Sequence, residues 1–266
     1  MAPCYVSTGV ATEAGSGIRE LPSLASGFHL LASLFRYPDE SLWQALAEAL
    51  PSAAVFSASL LGHPLALPPR QSLEHAYTAL FCANPSGSTV SPCLAGYLNQ
   101  AESGDGGGTS MIRQLLTEEG LVADARPGEP EDHLAVLLEL AGLLCCRAHG
   151  DDPARAGDGR TRLLQLTDSM LVMLPPFQSA IAAADESCVD FYVDAITLCL
   201  CLTVLCREQI LTAHGFTNNV PTYKLQTLSS AVAVLDPFAL LKQAATSGGG
   251  HHPCRTAEKT CLSYVR

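Results

Sequence analysis

Apolar residues recur along this chain at spacings of three and four, and strict alternation of apolar and polar positions is almost absent, so the pattern predicts helices throughout. Phe28, Leu31, Leu34 and Phe35 share one face of a first helix. It should stop near Tyr37-Pro38, because the residue before a proline is pushed out of helical geometry. Pro38-Asp39-Glu40 then opens a second helix with Leu42, Trp43, Leu46 and Leu50 inward. A third carries Leu73, Tyr77, Leu80 and Phe81 and ends before the turn cluster Asn84-Pro85-Ser86-Gly87. Further on, Leu134 to Cys146 is apolar on nearly every face, which marks a central, buried helix. Glu129-Pro130-Glu131-Asp132-His133 reads as its first turn, with Pro130 where a missing N–H costs nothing and the acids near the positive end of the helix dipole.

Two stretches read as loops: Ser103 to Gly108, and Gly150 to Gly159 with its Asp, Gly and Pro. The next helix places Leu163, Leu166, Met170, Leu171 and Leu174 on one stripe before Pro175-Pro176. A long apolar helix follows from Cys188 to about Thr212, and a shorter helical region holds Leu228, Val232, Leu235, Phe238 and Leu241. The fold class is therefore all-α: a single globular, bundle-like domain over 21–245, with a larger N-terminal and a smaller C-terminal helical part. Hinge or loop regions are expected near 124–133 and 150–159, with mobile segments at 1–20 and 246–266.

Composition narrows the function. A 266-residue chain with 48% hydrophobic content can bury a large core. Its 15 Lys+Arg against 26 Asp+Glu leave a net charge of −11, and Lys224, Lys242 and Lys259 are its three lysines. Nucleic acid is a poor partner for such a surface, whereas a cationic one suits it. Met1 to Glu20 shows neither a secretory nor a transit pattern, so a cytoplasmic location is expected. The apolar run Ala195 to Cys206 is shorter than the roughly 20 residues a membrane span needs. Eleven cysteines form no Cys-x-x-Cys and lie mostly inside apolar runs, as reduced thiols acting as small hydrophobes do.

Candidate chemistry is sparse. No P-loop, His-Glu-x-x-His or Gly-x-Ser-x-Gly occurs, so no catalytic residue is nominated. His251, His252, Cys254 and Cys261 lack the firm frame of a closed zinc site, and no metal is expected. Asp132 and His133 remain, beside Glu129 and Glu131, whose ordinary role is worth about 0.3–1 kcal/mol each as dipole partners. A His next to a carboxylate is a neutral hydrogen-bonded core residue, a switch near neutral pH or a recognition element, and spacing alone does not choose; a metal-dependent hydrolase using both residues is a further rival.

Four stretches in order carry a resemblance: Leu34-Phe35-Arg36-Tyr37-Pro38, Tyr77-x-x-Leu80-Phe81 with Pro92 to Tyr97-Leu98, Glu129-Pro130-x-Asp132-His133-Leu134, and Leu174-Pro175-Pro176-Phe177. Over about residues 25–240 the chain resembles the TorD/DmsD/NarJ family of cytoplasmic chaperones for molybdoenzyme maturation. The resemblance implies a TorD-like helical fold, no enzymatic activity, and binding of the twin-arginine signal peptide or N-terminal segment of a molybdenum-containing oxidoreductase subunit. Asp132, His133, Glu129 and Glu131 would face the cargo's arginines from beside a groove, with Tyr77, Phe81, Tyr97 and Leu98 lining it. No resident cofactor is expected, and weak guanine nucleotide or molybdopterin association stays open. A homodimer by exchange at the 150–159 connection also stays open. The competing readings are a helical scaffold subunit and a nucleotide-binding protein without signal-peptide recognition.

Overall fold

The computed structural model describes residues 21–82, 90–98, 107–121 and 129–213, and they form an all-α fold. In chain order the helices are α1 (Leu21–Leu34), α2 (Glu40–Ala49), α3 (Ala54–Leu61), α4 (Arg70–Phe81), α5 (Gly107–Glu118), α6 (Leu134–Ala148), α7 (Pro153–Ala182) and α8 (Val189–Ala213). Short 3-10 turns occupy Leu50–Ala53 and Leu94–Gly96. The expected helix around Leu228 to Leu241, the segments 1–20 and 246–266, and residues 124–128 of the 124–133 hinge lie outside the described residues.

The architecture follows from α6. Every residue from Leu134 to Cys146 is buried, because α1 packs on one side and α7 on another, while α8 closes the layer against both α7 and α1. Gly142 sets the closeness of the α1 crossing. A Cβ there would lie 2.7 Å from the His29 ring and 3.1 Å from the Ala25 carbonyl. Gly159 does the same for α7, since a Cβ would meet the Ala148 amide at 3.1 Å. The sulfurs of Cys145 and Cys206 touch at 3.7 Å across α6 and α8 as free, buried thiols.

Local rules explain most helix ends. Asp39 caps α2 by accepting from the Leu42 amide at 2.9 Å. Three sequence expectations are corrected. First, α6 starts at Leu134 with His133 as its N-cap, so Glu129 to Asp132 precede the helix instead of forming its first turn. Second, α7 begins inside the expected 150–159 loop: Asp152 accepts from the Ala154 and Arg155 amides, and Pro153 takes the first helical position. Third, α7 continues through Pro175 and Pro176 to Ala182, since burial of Phe177 and Ile181 outweighs the two lost helical hydrogen bonds.

By length and composition, Glu40–Leu61 and Val189–Thr212 are each apolar enough to cross a membrane, the second with a mean hydropathy of 1.9. The helix expected from Cys188 to about Thr212 is α8, and its apolar window extends beyond the Ala195 to Cys206 run. Its apolar faces are spent on α7 and α1, as in the core helix of a helical domain.

Candidate functional site

The approach to α6 is held by backbone. Leu94 N–H donates to the Asp132 carbonyl at 3.0 Å and Leu134 N–H to the Pro92 carbonyl at 2.8 Å, so Cys93 and His133 form a single antiparallel bridge. The Asp132 carboxylate accepts from the Ala95 amide at 2.9 Å. His133 Nδ1 accepts from the Ala135 amide at 3.2 Å, which requires an unprotonated ring nitrogen there. Burial, and then the Arg36 charge, hold the His133 pKa down at about 4. Together these bonds fasten the 90–98 segment to the mouth of the central helix.

Both side chains are consequently sealed: Asp132 is 3% exposed and His133 2%. The expectation that they stand open beside a groove does not hold. Their hydrogen-bonding capacity is directed at the protein's own backbone, which is why they are inside.

Charge at the mouth converges on Arg36, at the end of α1. Its guanidinium bonds Glu129 and Glu139 at 2.8 Å each, and all three side chains are nearly buried. Sequence reading quoted Arg36 only as part of a motif and missed Glu139 altogether. The signal was present: Glu139 is the sole charged residue within Leu134–Cys146, and a carboxylate inside a wholly apolar helix demands a cation. Glu131 stays at the rim, 30% exposed, pairing with Arg113 at 2.9 Å.

The aromatic candidates do come together. Tyr77 meets Phe81 edge-on at 5.2 Å, Phe81 lies 6.0 Å from Phe177, and Phe177 lies 6.1 Å from Tyr97. Tyr77 and Phe81 are buried, while Tyr97 and Leu98 are partly exposed and packed on the core. Tyr97 donates to the Ser91 carbonyl at 2.8 Å, which ties the segment back on itself. Burial lifts the Tyr97 hydroxyl to about 12, and burial with the nearby Asp132 charge lifts the Cys93 thiol to about 11. Tyr37, 48% exposed, stacks edge-on upon Tyr77 at the outer end of this row and was not singled out from sequence. Among the described residues no cluster of His, Cys, Asp and Glu is arranged to hold a metal ion.

Compared with known families, residues 35–178 match the family described as nitrate reductase delta subunit. That interval contains Arg36, the 90–98 segment, the mouth of α6 and the double proline of α7. No curated protein sequence matches the chain.

Proposed function

Because the chain belongs to the nitrate reductase delta subunit family, a family of molybdoenzyme maturation chaperones, we propose that it holds the N-terminal segment or twin-arginine signal peptide of a molybdenum-containing oxidoreductase subunit in the cytoplasm until the cofactor is installed. It does so by binding alone, with no bond-making of its own.

The observation that carries this reading is a charge imbalance. Around the mouth of α6, Glu129, Glu131, Asp132 and Glu139 supply four carboxylates, against the guanidiniums of Arg36 and Arg113. Glu131 is the accessible one. Its partner Arg113 is 65% exposed, and an ion pair of that kind contributes about 0–1 kcal/mol, so an incoming arginine can replace it. Guanidinium forks suit carboxylates such as that of Glu131. Tyr97 and Leu98 offer partly exposed apolar surface, with Tyr77 and Phe81 as the floor beneath. Asp132 and His133 act as positioning residues that keep the 90–98 segment in place.

Fluorescence anisotropy with a labelled twin-arginine leader peptide tests this. Affinity should fall as salt is raised, and Glu131→Gln should weaken it about threefold to fivefold, the size of a rim charge pair. A titration indifferent to both would remove the electrostatic basis of the reading.

A further inference from the structure

Helices α7 and α8 run antiparallel, and two polar rungs fix their register on the outer side. Gln178 donates to the Thr197 hydroxyl at 2.7 Å and to the Val193 carbonyl at 3.2 Å, and further along Arg207 pairs with Asp168. That register sets Leu164 beside Leu211, Leu171 beside Val204 and Pro175 beside Leu200. Spacings of three, four and seven put the three residues of each helix on its rung-bearing side. Pro175 is exposed and the other five are partly so, with Val172, 50% exposed, at their border.

Helix α8 therefore keeps apolar surface beyond the faces it packs on α7 and α1. Its most apolar stretch has a mean hydropathy of 1.9, yet only 56% of that stretch is buried. On the inner side the pair meets α6 and α1, while α3 and the turn after it reach α8 at Leu198 and, through His63, at Asp194. None of these contacts uses the outer face.

The chain itself supplies a matching strip. Leu228, Val232, Leu235, Phe238 and Leu241, outside the described residues, recur at three and four, the pattern of a helix that needs one buried side. Residues 214–227 separate them from the end of α8, ample length for a reversal of direction. With Leu228 over Leu211, roughly 21 Å of helix brings Lys242 within about one turn of Asp194. Charge agrees with this placement. Residues 214–266 hold all three lysines and five of the 15 basic residues against two acids, a net of +3, which leaves −14 on residues 1–213. Asp190 and Asp194 stand at the start of α8, where Lys242 would arrive. A second copy would instead set −11 against −11.

We propose that the outer face of α7 and α8 is the docking surface for residues 228–241 of the same chain, laid antiparallel to α8 with Lys242 facing Asp190 and Asp194. The segment covers the apolar face that gives α8 the hydropathy of a membrane span. It uses neither the acidic rim nor the aromatic row, so it is independent of the client reading.

Hydrogen exchange read by mass spectrometry on the full chain tests this. Amides in 228–241 should exchange at least about tenfold more slowly than an unstructured chain, at any protein concentration. Val204→Asp should abolish most of that protection while the amides of α6 keep theirs. Leu235→Asp, which leaves α7 and α8 unaltered, should do the same from the other side and raise the fluorescence of an apolar dye; it decides the matter where Val204→Asp fails to fold. Lys242→Glu should speed exchange about threefold in low salt and not in high salt, and no effect at either would strike the Lys242 contact. Unstructured-chain rates in the wild type, or protection that both aspartate variants leave untouched, would overturn the proposal. So would protection confined to a dimer in sedimentation, which gives the face to a second copy.

Discussion

Two arginine–carboxylate clusters stabilise this fold in opposite ways. At the mouth of α6 one guanidinium, Arg36, serves both Glu129 and Glu139, and its side chain is 7% exposed. At the end of α5, Arg147 and Arg162 both serve Glu119, whose side chain is fully buried, while Arg162 also reaches Glu118 at 2.9 Å. The second cluster is balanced, with guanidiniums that keep solvent contact, and it staples α5 to α6 and α7. The first is short of positive charge and closed off. In the balanced clamp each carboxylate has its own guanidinium; beside the acid-rich one stands Glu131, paired with the exposed Arg113 and reachable from outside.

The sharpest way to break the comparison is to remove each arginine in turn. Arg36→Leu should cost roughly 3–5 kcal/mol of unfolding free energy in urea, because it takes the shared cation from two buried carboxylates. Arg162→Leu should cost only about 1 kcal/mol, since Arg147 still holds Glu119 at 2.7 Å. Equal losses would mean that the two clusters do the same work.

Acid should act on the mouth first. The His133 pKa in the fold, about 4, lies below the 6.5 of the free group. The unfolded chain therefore binds the extra proton between those values, so stability is full above pH 7 and falls as pH drops through 6.5 toward 4. The loss is at most roughly 3 kcal/mol for a shift of this size. His29, also held near 4 by burial, adds to the slope. His133→Asn keeps a capping oxygen without the titration, and urea melts across pH should show a shallower acid slope than wild type.

Smaller effects sharpen the picture further. Asp132→Ala removes the acceptor of the Ala95 amide and should cost about 1–2 kcal/mol, with hydrogen exchange rising first in residues 93–98. Glu131→Gln should change stability by less than about 0.5 kcal/mol while still weakening the leader peptide, because its partner is already exposed.

Much of the fold was legible in the residues. The apolar periodicity located α1, α7 and α8 and the unbroken apolar run Leu134–Cys146 identified α6 as the central element, whereas α3 and α5, the latter beginning inside the expected 103–108 loop, were not read as helices. Breaker residues misled where tertiary burial overruled them. Pro175 and Pro176 look like a stop, yet Phe177 and Ile181 lie buried beyond them; Gly157 and Gly159 look like loop, yet Gly159 is the close-packing point against Ala148. Of the eight nominated residues, Asp132, His133, Tyr77 and Phe81 are buried and Glu129 nearly so, whereas Glu131, Tyr97 and Leu98 keep partial exposure, a division set by contacts distant in the chain that local pattern does not reveal.

Sequence by itself determined what is local, because helical spacing, helix starts and net charge depend on neighbours a few positions apart: the all-α class, the opening of α2 at Pro38-Asp39-Glu40, and an acidic net charge of −11. Only the tertiary structure decided what depends on residues far apart in the chain. Arg36 must travel 93 residues to meet Glu129 and 103 to meet Glu139, and Asp132 binds an amide 37 residues back. A carboxylate's meaning, as ligand acceptor or internal fastener, is set by whether such a distant partner claims it first.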